Sequence, residues 1–108
     1  MNATLQTVWT EHESIVMERV ALLDSAVEHL IAGRLPEHER EQACRAAHML
    51  AGSVGMFGFE RSSQAALALE AVFERGSTSA SGLAPTQAFE LREQLEAMRA
   101  EGLEPPRA

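Results

Sequence analysis

Apolar and polar positions follow each other along this chain with the period of a helix. From Leu5, the apolar residues Val8, Trp9, Ile15, Val16, Val20, Leu23, Val27 and Leu30 form one stripe, which predicts a helix over about 4–32 that ends at Gly33. Pro36 suits a helix start, and Glu37, Glu39 and Glu41 suit the positive end of its dipole. A second helix over 37–54 then carries Ala43, Ala47, Leu50 and Val54 inward. A third, over 59–75, buries Ala66, Leu69 and Phe73. The stretch GSTSASGLA, Gly76 to Ala84, reads as a loop, and Pro85 opens a fourth helix over 85–101 with Ala88, Leu91, Leu95 and Met98 inward. The tail, 102–108, is expected to be flexible. Four amphipathic helices joined by short connections predict an all-α fold, an antiparallel four-helix bundle in a single domain of 108 residues without internal repeats.

Composition supports that class, since Ala, Leu, Glu, Arg and Gln dominate and β-branched residues are sparse. Charge narrows the partners. The net charge is −7 and every basic side chain is arginine. An acidic surface of this kind disfavours nucleic acid and anionic membrane surfaces. No apolar run approaches a membrane span, and the opening MNATLQTVWTEHE lacks a signal-peptide pattern. Cys44 is the single cysteine, so no internal disulfide forms and a cytoplasmic location is expected. His12, His29 and His38 show no ligand spacing, and glycine-rich phosphate loops are absent, so neither a metal nor another cofactor is expected. Trp9 and the long first helix leave dimerisation open.

The candidate chemistry lies between Arg45 and Phe59, RAAHMLAGSVGMFGF. At about 100° per residue, His48 sits roughly 120° from the centre of the second helix's apolar stripe, at the flank of the bundle. Gly52 and Gly55 follow one and two turns onward on the same side. A glycine inside a helix costs about 1 kcal/mol relative to alanine. Two of them beside one histidine have two readings: close helix packing or a helix end near Val54, or a gap through which another protein reaches the imidazole. Cys44 lies one turn before His48, but a thiol–imidazole dyad on a regular helix lacks an oxyanion site, and a half-buried structural cysteine is the simpler reading. Met49, Met56 and Phe57 are expected to serve core or helix-end packing.

This run resembles the histidine phosphotransfer (HPt) domains, and most closely the phosphorylatable domain of chemotaxis histidine kinases. The family pattern is His, usually Lys three residues on, Gly four on and a second Gly seven on; here those places hold His48, Ala51, Gly52 and Gly55. Arg45-Ala46-Ala47, Phe57-Gly58-Phe59 and Leu69-Glu70 are also similar to it. The resemblance covers about residues 40 to 75 and implies a carrier, not an enzyme: His48 accepts and donates a phosphoryl group, with a response-regulator receiver domain, a histidine kinase or both as partners. It also implies that Glu70 orients the imidazole and that the partner docks over Gly52 and Gly55. Neutral imidazole, with a reference pKa near 6.5, is a usable nucleophile at cytoplasmic pH. The departure is Ala51, where the family usually has a cation to screen the phosphoryl charge. By spacing, Arg45 and Arg61 are its substitutes. The same departure motivates the alternative of an interaction module that docks receiver domains without transfer.

Overall fold

The computed structural model describes residues 3–75 and 85–103. It contains four helices: α1 (Ala3–Ile31), α2 (Glu37–Met56), α3 (Glu60–Glu74) and α4 (Pro85–Ala100). Each packs against its neighbours in the order α1–α2–α3–α4 and back to α1, closing a ring around one core. His29 of α1 meets Glu39 of α2 at one end, and Trp9 meets Phe57 at the other, so α1 and α2 run antiparallel. The expected all-α bundle is what forms.

The predicted stripes are the core. Val16, Val20, Leu23, Val27 and Leu30 of α1 are buried against Ala43, Ala47, Leu50 and Val54 of α2 and Ala66, Leu69 and Phe73 of α3. Leu91, Leu95 and Met98 close it from α4. Burying one such large aliphatic or aromatic side chain contributes roughly 1.5–3 kcal/mol. Small residues set the spacing that matters for the site. Ala43, Ala46, Ala47 and Ala51 of α2 and Ala65 and Ala66 of α3 are all buried, and the α2–α3 contact is the most extensive in the bundle. Short side chains let two helix backbones approach closely, which brings groups on their shared edge within hydrogen-bonding reach.

Three features differ from the sequence reading. Ile15, read from the sequence as part of the α1 stripe, is exposed. Helix α2 runs two residues past Val54, to Met56, so both glycines are helical. The helix stops at Phe57 and Gly58; Gly58 takes a φ of 89°, which favours glycine, and the Phe59 amide donates back to the Val54 carbonyl at 3.0 Å. The tail also begins later than expected. Leu103 is fully buried and its amide donates to the Met98 carbonyl at 2.9 Å, so 102–103 close the bundle rather than fray. The remaining tail residues and the expected Gly76–Ala84 loop lie outside the described residues.

Helix α3 has no cap of its own, because Phe59 at its N-cap has no side-chain acceptor. Glu101, just past the end of α4, supplies one. Its Oε1 accepts from the Ser62 amide at 2.6 Å and from the Ser62 hydroxyl at 2.7 Å. Burial works to raise the Glu101 pKa, but hydrogen bonds from Ser62 and the Arg61 amide, together with the Arg61 charge, outweigh it and hold the carboxyl below its ordinary value. A lowered folded-state pKa contributes stability that is present above the unfolded value and is lost as pH falls through the folded one. Glu101→Ala should therefore cost about 1–2 kcal/mol at pH 7, as loss of a helix cap does. In paired thermal melts, the gap between the variant and the parent should shrink once pH drops below the ordinary 4.5. A gap that persists undiminished in acid would show that the carboxylate is not what holds α3.

Candidate functional site

His48 stands on the outer edge of α2, with 72% of its side chain exposed. Its Nδ1 lies 2.8 Å from Oε2 of Glu70 on α3, whose side chain is 21% exposed. This pair depends on the small-residue α2–α3 interface, since each side chain reaches only from its own helix edge. A carboxylate accepts, so the geometry matches an Nδ1–H donor and leaves the Nε2 lone pair free on the exposed side of the ring. An imidazole held in that way can attack an electrophilic phosphorus. Spacing places His48 on the flank, the resemblance implies Glu70 beside it, and the fold brings the two together across 22 residues.

Around the pair runs an open groove lined by Arg40, Glu41, Cys44, Arg45, His48, Glu70 and Glu74. Arg45 is exposed, lines the same groove as the imidazole, and makes no hydrogen bond or ion pair with the described residues. Arg40 is engaged: it donates to Glu37 and, through Nη1, to the Phe73 carbonyl at 2.6 Å, tying α2 to the end of α3. Arg61 lies elsewhere, in a groove lined with Gly55, Ser63 and Gln94. Ala51 is buried, and its carbonyl accepts the Ser63 hydroxyl at 2.8 Å.

The two glycines differ. A Cβ on Gly52 would meet nothing within 4 Å, whereas one on Gly55 would stand 3.1 Å from the Ser63 Oγ. Gly52 is thus a true gap in the surface beside His48, and Gly55 is the point where α3 crosses close to α2. Met49 and Met56 are not packed as the sequence reading expected; they are 48% and 63% exposed. Phe57 is buried, and its ring meets Trp9 edge-on with centroids 5.2 Å apart.

Other chemistries find less support. Burial pushes the Cys44 thiol up, the Glu70 and Glu74 carboxylates push it further, and Arg40 opposes only in part. That environment stabilises the thiol over the nucleophilic thiolate. Among the described residues no group of three or more His, Cys, Asp or Glu is placed to hold a metal ion, and no helix is long and apolar enough to cross a membrane.

A second histidine–carboxylate pair, His29 Nδ1 to Glu39 Oε1 at 2.6 Å, joins α1 to α2. It lies at the corner between those helices, away from the groove, and pins their ends together.

No curated protein and no solved structure matches the chain. The family model for the Hpt domain does match, over residues 12–101, a span that takes in all of α2 and α3, the exposed His48 and its Glu70 partner. Four helices in a ring, an exposed histidine on α2 held by a carboxylate of α3, and a family match over most of the length lead to one assignment: this chain belongs to the Hpt domain family, whose members carry phosphoryl groups in phosphorelays.

Proposed function

We propose that this chain takes up a phosphoryl group on His48 Nε2 and passes it on, exchanging it with the aspartate of a response-regulator receiver domain, with a histidine kinase, or with both. The observation that carries this reading is the 2.8 Å contact of Nδ1 with Glu70, which leaves the other ring nitrogen as an exposed nucleophile. Glu70 is the positioning residue, and its partners supply the catalysis. In transfer from a receiver, the O–P bond of the acyl phosphate breaks as the Nε2–P bond forms, and the aspartate leaves as carboxylate. The test is incubation with phosphorylated receivers from the same cell. Label that is acid-labile and base-stable supports a phosphohistidine; binding without label favours the non-transferring module that Ala51 motivates.

Two substitutions probe the neighbours of the imidazole. Glu70→Ala should slow transfer roughly tenfold without abolishing it, since the carboxylate orients the ring rather than reacting. A rate equal to that of the parent would remove Glu70 from the mechanism. Arg45→Ala should slow phosphorylation about two- to fivefold at low salt, in line with about 0–1 kcal/mol from an exposed ion pair, and less as salt rises. A guanidinium can pair with two phosphoryl oxygens, while the inward Ala51 methyl offers none. Unchanged kinetics at low salt would make Arg45 an ordinary surface arginine.

A further inference from the structure

Beside His48 the surface is apolar toward the end of α2, and toward its start it carries the carboxylates of Glu41 and, on α3, Glu74, together with the exposed Arg45. Met49 and Met56 are seven residues apart, which places them within about 20° of a common line along the helix. Both are well exposed, at 48% and 63%. Gly52 lies between that line and His48, and the open space at its missing Cβ leaves a shelf joining the thioethers to the imidazole. In the other direction, Glu41 stands seven residues before His48, again within about 20° of its line. Glu74 stands one turn beyond Glu70 on α3. Both carboxylates are exposed and line the groove with His48, and neither makes a hydrogen bond or ion pair with the described residues. The nearby Arg40 is already held by Glu37 and the Phe73 carbonyl.

Resting on the carrier reading above, we propose that this strip fixes the orientation of a docked receiver domain, which lays an apolar patch on Met49 and Met56 and sets a lysine or arginine against Glu41 and Glu74. At 1.5 Å of rise per residue, the cation belongs about 10 Å to one side of the transferring phosphoryl group and the centre of the apolar patch about 7 Å to the other. The reverse orientation sets two exposed carboxylates against an apolar surface, a poorer match. The two ends act differently. Flexible, polarisable methionines adapt to varied apolar surfaces and contribute affinity, while the charged end steers encounter and selects among receivers. A second copy of this chain is a poor occupant, because two molecules of charge −7 repel each other.

The experiment uses the full chain and, as probe, whichever purified receiver domain from the same cell exchanges phosphoryl groups with it fastest. Met49→Ser combined with Met56→Ser should weaken receiver binding at least tenfold and leave the salt dependence unchanged. Glu41→Arg combined with Glu74→Arg should weaken it about tenfold at low salt and flatten the salt dependence. Reversing to Glu a receiver lysine or arginine about 10 Å from its phosphorylated aspartate should restore binding to that second variant. Parent-like binding by the methionine variant, or an unchanged low-salt Kd for the charge variant, overturns the proposal. So does a parent chain that dimerises through this face and becomes monomeric in the methionine variant. Labelling by phosphoramidate, in which the P–N bond of the reagent breaks, Nε2–P forms and ammonia leaves, needs no docking. The methionine variant should label like the parent in that reaction, and the charge variant at least as fast, since its added arginines attract the anionic reagent; failure of the parent itself to label would strike the carrier reading and not the docking geometry.

Discussion

Replacing His48 by glutamine should abolish phosphoryl uptake from receiver and kinase alike while the bundle stays folded. Among the side chains lining the groove, the imidazole offers a nitrogen nucleophile; Glu41, Glu70 and Glu74 are carboxylates, and burial pushes the Cys44 thiol away from thiolate. Glutamine keeps polarity, helix propensity and an N–H to offer Glu70, but its amide nitrogen is no nucleophile. With 72% of the His48 side chain exposed, the change removes almost no packing, and stability should stay within about 0.5 kcal/mol. Circular dichroism should overlay that of the parent while label falls below detection. Retained acid-labile label in the variant would sink His48 as the acceptor.

Filling Gly52 with glutamine should have the next largest effect, and in opposite senses for binding and for stability. Nothing lies within 4 Å of a Cβ built there, so the side chain enters open space on the helix surface. Removing a helical glycine contributes about 0.5–1 kcal/mol, which for a domain of this size raises Tm by about 2–6 °C. The same side chain then stands on the shelf between His48 and the methionines, where a docked domain would have to come closest. Receiver binding and transfer should fall at least tenfold, since misplacing a reacting atom by even about 1 Å is costly. Labelling by phosphoramidate should be untouched. A variant that is more stable and still transfers at the parent rate would assign the glycine to helix ending or packing. Gly55 is not the residue for this test, because its Cβ would press on Ser63.

Much of this fold was legible in the order of residues. The stripes Ala43–Ala47–Leu50–Val54 and Ala66–Leu69–Phe73 are buried as their spacing required, since a 3.6-residue period has one way to hide its apolar face. The flank position of His48 was legible for the same reason. Its pairing with Glu70 was not a matter of period; it came from resemblance, and the contact depends on how close α2 and α3 approach. Met49 and Met56 were misjudged because an apolar side chain signals burial only where its helix face meets another element, and theirs meets solvent. Leu103 was misjudged in the opposite direction, since a leucine beyond the last helical turn gives no periodic signal. Glu101 carries no sequence signal as a cap, because a cap is legible only in a helix's own first turn, and here the acceptor arrives from 39 residues away.

That last contact has a bearing on the order in which the chain is made. On a ribosome, α2 and α3 emerge with His48 and Glu70 already in place along the chain, but the residue that caps α3 is synthesised only 39 residues after the Ser62 it holds. Until Glu101 leaves the exit tunnel, the first amides of α3 have only water, and the helix that carries Glu70 can fray from its leading end. The nascent domain can therefore gather its apolar stripes early, yet a firmly held imidazole comes only with the closing turn after α4. A stalled or prematurely terminated chain lacking that turn would present the histidine without a steady carboxylate behind it.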